Sequence, residues 1–321
     1  MKLTIIIPTL NRKKSLFQTL ESYKKYKKDY DEMIIIDQSN ESIENEVVRE
    51  YEKVRYIHYP FPSLTKARNI GIAESKGDIL VFSDDDIEIL PNTLNNIKKF
   101  FSENKDVSLI GAFNEFEKEK LSKKINLKNI LSCLIGKRNI FKLKKGHVVN
   151  SIFGNFPVDI NFDTNNFIET EWAMGFFFAC RRKLIEKWQL FFDENLISYA
   201  YAEDLDFTYR YNINSKKENM KMIFSPEICV YHHCSQEYRI PDFNKTLLYV
   251  FNRRYLSYKF NKSFFSRVSI EINDFIILLV KIIKKEKPIY FIKSKVLSWK
   301  YDKSLKEKIY PEKIKIILSR K

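Results

Sequence analysis

The chain has 321 residues, 44% hydrophobic and 15% aromatic, enough for one large α/β domain or a domain of about 200 residues with an appendage, and too apolar for wholesale disorder. Seven glycines exclude collagen-like or low-complexity character. The net charge of +15 is concentrated: residues 244–321 carry 20 Lys and Arg against 6 Asp and Glu, which leaves the first 243 residues close to neutral. A smaller excess lies between Lys118 and Lys145, where ten basic residues face the single acid Glu119. Such basicity suggests nucleic acid, an anionic membrane or phosphorylated ligands as partners.

In chain order, short β-branched runs alternate with helical patterns, which is how a parallel sheet with crossover helices reads. Strands are expected at Leu3 to Ile7, Met33 to Ile36, Val54 to Ile57, Ile79 to Phe82 and Val107 to Ile110. Leu16, Leu20 and Tyr23 recur at helical spacing between the first two, as do Leu94, Ile97 and Phe101 between the last two. The expectation is a doubly wound sheet, whose ligand lies outside the carboxyl ends of the strands. There the chain places Pro8-Thr9-Leu10-Asn11-Arg12, Asp37-Gln38-Ser39 and Ser83-Asp84-Asp85-Asp86. Neither GxGxxG after the first strand nor GxxxxGK[ST] occurs, so the common glycine-rich phosphate cradles are missing.

Residues 113–170 look like an irregular excursion, after which WAMGFFFACRRKLI returns to dense apolar character. Glu203 and Asp204 then open a helix whose apolar side is expected to carry Leu205, Tyr209 and Ile213. The last 78 residues read as amphipathic basic helices broken at Pro288 and Pro311. The most apolar stretch, Phe275 to Ile283, has nine residues including Lys281, against about 20 for a membrane span. The opening MKLTIII has no signal-peptide pattern and the four cysteines are sparse. Both lead to the expectation of a reducing, cytoplasmic location.

Three consecutive aspartates at the end of an apolar strand repel one another. Hard Mg²⁺ or Mn²⁺ relieves that repulsion and pairs carboxylates with substrate phosphates, whereas an isolated DDD also serves as a solvated acidic turn before the helix near Pro91. Upstream, SLTKARNIGIAESKGDILVFSDDDIEILP supplies Lys66 and Arg68 on a helix one strand away.

Taken with the opening strand and PTLNR, the strand ending in Asp37, the ARNIGI helix, the glycine segment MGFFFACRR, and FDE followed by Glu203-Asp204, this DXD motif resembles glycosyltransferase family 2, over residues 1–235. The resemblance implies the GT-A fold: a Rossmann-like, mostly parallel sheet with helices on both faces, followed here by C-terminal basic amphipathic helices. It implies a catalytic domain, expected over 1–243 with nucleotide-binding in 1–112 and acceptor-binding in 113–243; the charge count places a helical basic region over 244–321. Pro8, Thr9, Arg12 and Lys66 would line the nucleotide pocket, Asp37 would meet base or ribose, and Arg68 and Asn69 would approach base or diphosphate. Asp84 and Asp85 would contact ribose and metal-bound water, Asp86 would ligate Mn²⁺ or Mg²⁺ beside Asp84, and Asp204 would be the general base, with Glu203 and Asp206 as nearby carboxylates. His232, with His233 second, would face the metal or diphosphate. Cys229 and Cys234 flank that pair, and a zinc site there would crowd four ligands along one short segment.

Trp172 and Gly175, with Glu203, would line the acceptor subsite, although MGFFFA lacks the small polar residue that the family usually has after the glycine. The expected reaction is inverting transfer from a UDP-, dTDP- or GDP-linked sugar to a saccharide or lipid-linked acceptor. The tail is expected to rest on an anionic membrane surface rather than on nucleic acid. A nucleotidyltransferase and a nucleic-acid-binding protein using the basic tail are the rival readings; PTLNRKK has no glycine and the tail has no recognition module.

Overall fold

The computed structural model describes residues 1–118, 167–260 and 264–319. The described chain forms two compact units, one of residues 1–118, 167–194 and 203–239, the other of residues 195–202, 240–260 and 264–319. Residues 195–202, expected in the acceptor half, thus cluster with the C-terminal region. The basic stretch from Glu119 to Lys145 and the rest of the excursion to residue 166 lie outside the described residues.

The first unit opens with β1 (Leu3–Thr9), α1 (Lys13–Lys24), β2 (Glu32–Asp37), α2 (Glu44–Glu50), β3 (Val54–His58), α3 (Leu64–Glu74) and β4 (Ile79–Ser83). Strands β3, β2, β1 and β4 pair in that order, all parallel. Their near-continuous Ile, Leu and Val suit strands covered on both faces. Alternate residues serve opposite sides. Leu3, Ile5 and Ile7 pack with Leu16, Leu20 and Tyr23 of α1, whereas Ile6, Ile34 and Ile36 pack with Ala67 and Ile72 of α3. The expected doubly wound arrangement therefore holds through this half.

Beyond β4 the sheet becomes mixed. The chain continues through β5 (Ile87–Ile89), α4 (Thr93–Glu103), β6 (Val107–Asn114), α5 (Glu115–Lys118), β7 (Ile168–Thr170), β8 (Phe177–Arg181), α6 (Arg182–Trp188), α7 (Glu203–Lys217) and β9 (Lys221–His232). Strand β8 runs antiparallel between β4 and β6, β9 is parallel to β6, and β5 and β7 pair antiparallel with β9. Six of these nine strands share one direction, so the sheet is mostly parallel.

Helix α7 begins at Glu203 as expected, but its buried side differs. Leu205, Phe207, Thr208, Tyr211 and Asn212 face inward, while Ile213 is exposed. The aromatic pair decides the rotation: Phe207 stacks on Phe192 at 4.1 Å and 7°, and Tyr211 meets Trp188 edge-on. Aromatic burial at these positions outweighs seating one further aliphatic residue.

The second unit is helical: α8 (Asp242–Phe260), α9 (Phe264–Ile283), α10 (Pro288–Lys300), α11 (Asp302–Lys306) and α12 (Glu312–Ser319). Pro288 opens α10, where its missing N–H costs nothing, and Pro311 precedes α12, so both expected breaks are present. Leu247, Phe251, Tyr255, Phe291, Leu305, Tyr310 and Ile314 form its buried apolar interior. No helix among the described residues is long and apolar enough to cross a membrane.

Candidate active site

The acidic run leaves β4 at the carboxyl edge of the parallel strands, and each aspartate meets a different neighbour. Asp85 turns inward, 2% exposed, where it accepts from Thr9 Oγ1 at 2.7 Å and pairs with Arg12 Nη1 at 2.5 Å. Arg12 reaches over with its other nitrogen to Asp86 Oδ2 at 2.7 Å, and the Ser235 N–H donates to the same oxygen at 2.9 Å. Asp84 Oδ1 accepts from Arg68 Nη2 at 3.1 Å. Burying carboxylates without counter-charge costs several kcal/mol per ion. Two arginines and a histidine are set against three aspartates here.

The histidine arrives by strand register. In the β5·β9 ladder Ile87 lies opposite His232, one residue beyond Asp86, and the His233 N–H donates to the Asp86 carbonyl at 3.0 Å. His232 Nε2 consequently lies 3.3 Å from Asp86 Oδ1, and its ring is stacked on Phe176 at 4.9 Å and 16°. Asp84, Asp86 and His232 each offer a ligand atom, all within 4.8 Å of one another. Asp86 Oδ1 is buried without a hydrogen bond, which leaves it the coordination that a cation would fill; carboxylate oxygens with one imidazole suit Mn²⁺ or Mg²⁺. His233 instead points its Nε2 at Glu88 (3.2 Å) and Cys229 is buried with its Sγ at the Pro226 carbonyl, while Cys234 Sγ lies 3.6 Å from His232 Nδ1. An open groove of about 1250 Å³ along α1 and residues 233–237 reaches Asp86.

The second half of the site is built by β8 and α7. The ladder of β4 with β8 continues past Ser83, where the Asp84 N–H donates to the Phe176 carbonyl at 2.9 Å, and so draws Gly175 beside the aspartates. Arg68, 1% exposed, donates from Nη1 to Glu203 Oε1 (2.9 Å) and from Nη2 to the Gly175 carbonyl (2.9 Å) as well as to Asp84. Asp204 is only half-buried. Its Oδ2 accepts from the Gly175 N–H and its Oδ1 from the Leu205 N–H, both at 2.7 Å. A Cβ on Gly175 would stand 2.9 Å from Asp204 Cβ and 3.1 Å from its Oδ2, so the glycine makes room for this carboxylate. Asp206 is fully buried in an ion pair with Arg210 at 2.6 Å, which sets it apart from Asp204.

Burial raises the pKa of Asp85 to about 7 against the opposing pull of Arg12 and Thr9. It raises Asp84 despite Arg68, and Glu203 the more because Asp204 adjoins it. Asp204 is also raised by burial, with Arg68 and the two N–H donors opposing. For Asp86, burial is outweighed by His232 and Arg12, which hold it well below the usual carboxylate range. Five acids with unlike environments within one cluster mark a site where proton affinity is set locally.

Several expected contacts are engaged within the fold instead. Asp37 is buried, its two oxygens taken by the Tyr56 hydroxyl and the Ser39 N–H. Asn69 clamps the Phe192 backbone in both directions and reaches Glu194, to which Lys66 also pairs at 3.3 Å. Trp172 is 7% exposed, leaving little indole face for a sugar. Pro8 is buried in β1 opposite Ile36. Sequence reasoning had no signal for Ser235, or for Glu237, whose carboxylate caps α1 from 222 residues away by accepting from the Ser15 N–H at 2.9 Å. Phe176 could have been singled out as the neighbour of Gly175.

A family model described as glycosyl transferase family 2 matches residues 4–188. The chain belongs to glycosyltransferase family 2. Like other family 2 enzymes it is a glycosyltransferase of GT-A fold. A chondroitin synthase of Escherichia coli is 27% identical over 224 residues, covering 65% of this chain and 32% of that protein; the chain thus spans about a third of that curated relative. Among solved structures, a mannosyltransferase from Pyrobaculum calidifontis in complex with GDP-Man and Mn²⁺ matches with a TM-score of 0.52 at 12% identity, over 94% of this chain and 88% of that one. GalNAc-T7 with UDP, GalNAc and Mn²⁺ matches with a TM-score of 0.51 at 16% identity, over 85% and 54%. At these identities the shared feature is the fold of this glycosyltransferase.

Proposed function

We propose that the enzyme transfers one sugar, with inversion, from a UDP-, dTDP- or GDP-linked donor to a saccharide or lipid-linked saccharide acceptor, with Mn²⁺ or Mg²⁺ as cofactor. The proposed setting is synthesis of a bacterial surface polysaccharide or related glycoconjugate. The observation that carries this reading is the convergence of Asp84, Asp86 and His232, tied through Arg68 to the start of the helix that bears Asp204. Both fold neighbours were solved with a nucleotide and Mn²⁺, chemistry of the kind proposed.

Asp84, Asp86 and His232 would hold the ion, which when bound offsets negative charge on the departing nucleoside diphosphate. Asp204 takes the proton of the acceptor hydroxyl on a lone pair not used by Gly175 or Leu205 as that oxygen attacks the anomeric carbon. The bond from that carbon to the diphosphate oxygen breaks and its electron pair leaves with the diphosphate. One in-line displacement inverts the anomeric configuration. Arg68 keeps Glu203 and Asp84 apart in charge and fixes the Gly175 carbonyl, so the Gly175 N–H stays aimed at Asp204.

A thermal-shift panel of UDP, GDP, dTDP and CMP, each with and without Mn²⁺, tests the reading. Stabilisation by one nucleoside diphosphate only when the ion is present is the expected result. No stabilisation by any of them would overturn it.

A further inference from the structure

Helix α9 is built with its polarity reversed relative to a helix packed on a soluble core. Among its described side chains Asp274 is buried along with Ile270; Asp274 is 3% exposed and paired with Arg253 Nη1 at 2.6 Å and with Lys295. From Phe275 to Ile283, the most apolar run of the sequence, no residue is buried. Phe275, Leu279, Ile282 and Ile283 are 60%, 43%, 50% and 80% exposed, and Val268 and Ile272 continue the same side. On α10, Ile289, Ile292, Val296 and Trp299 are exposed as well.

The charges are sorted in the opposite sense. Glu271, Asp274 and Asp302 are consumed by Arg253, Arg254 and Lys295. The other lysines from Lys284 to Lys315 are exposed, and Lys284, Lys285 and Lys287 follow directly on the apolar run. We propose that the outward face of α9, together with these lysines, docks on the surface of an anionic lipid bilayer.

Two features of the same residues favour lipid over a second copy of the chain. A coiled-coil seam is narrow and flanked by charge pairs, but beside the 268, 272, 275, 279 and 282 stripe stand Ile276, Leu278 and Ile283. Pairing two copies would also bring together two regions of 20 basic and 6 acidic residues each, which repel, whereas anionic headgroups attract them. The helix would lie in the interface rather than span it.

The test is flotation of the full chain with vesicles of phosphatidylglycerol and phosphatidylethanolamine, against vesicles of phosphatidylcholine alone. Analytical ultracentrifugation is run alongside. Binding to the anionic vesicles is expected to fall about tenfold or more with Phe275→Glu plus Leu279→Glu, and to weaken at about 0.5 M salt and with Lys284→Glu plus Lys285→Glu. These side chains are exposed, so thermal melts should be unchanged. Failure of the wild-type chain to float with anionic vesicles, or equal flotation of the apolar variant, would sink the proposal. So would a wild-type dimer that the apolar variant dissociates, since that assigns the face to a second copy. None of these outcomes depends on nucleotide binding, so the transferase reading stands or falls separately.

Discussion

Asp204 combines the two properties that a general base needs, access and a fixed direction. It is half-buried, and two backbone N–H groups hold its carboxylate. Asp204→Asn is expected to keep nucleotide-dependent thermal stabilisation while transfer falls by about 10²- to 10⁴-fold; full turnover in that variant would remove Asp204 from the role. Because burial raises its pKa above the ordinary 3.8, the base is protonated and idle at low pH. Activity should therefore rise with pH through a limb displaced above the usual aspartate value, and a kcat/KM profile with its acid limb at 3.8 would contradict the assignment. The histidines divide similarly. His232 Nε2 faces Asp86 and His233 Nε2 faces Glu88, so His232→Ala should abolish the Mn²⁺-dependent part of the nucleotide thermal shift while His233→Ala leaves it intact.

At the scale of elements, the site depends on how closely α3 seats on the sheet. Gly71 lies one turn after Arg68, and a Cβ there would approach Ile6 Cγ2 to 2.3 Å and Ile36 Cδ1 to 3.2 Å. Both are core atoms of adjacent parallel strands and have nowhere to go. In an exposed helix, glycine to alanine gains about 1 kcal/mol of helix propensity. Here overpacking of about 1–3 kcal/mol outweighs it, so Gly71→Ala is expected to lower the melting temperature and, by lifting Arg68 from Glu203 and Asp84, to reduce turnover. A melt at or above the wild-type value would show that the helix can shift without cost. The antiparallel strands β5 and β8 act as couplers in the same way: one places His232 beside Asp86, the other Gly175 beside Asp84. The parallel strands were legible because runs such as LTIII and MIII admit one use, burial on both faces. FFACR could serve a helix or a strand equally well, and IEI is too short to carry a period.

For the whole molecule, the uneven charge acquires a place. The unit that carries the acidic cluster draws on the nearly neutral part of the sequence, and the helical unit holds the excess lysines. Within that helical unit Glu271, Asp274 and Asp302 are turned toward Arg253, Arg254 and Lys295, while the apolar side of α9 is left outward. An amphipathic pattern alone cannot say which side a helix buries. Hydrophobic burial predicts the apolar one, and here a network of charge-assisted hydrogen bonds around Asp274 holds the other.

The sequence by itself determined the family, the parallel half of the sheet, the helix start at Glu203, the break at Pro288, and the presence of a carboxylate cluster, because each is encoded in residues adjacent in the chain. Only the tertiary structure decided which carboxylates face one another. It turned Asp85 inward to Arg12 and Thr9, joined Asp86 to His232 across 146 positions, and engaged Asp37, Asn69 and Trp172 within the fold. Strand register and side-chain direction set these pairings, and both follow from how distant segments pack rather than from any local pattern.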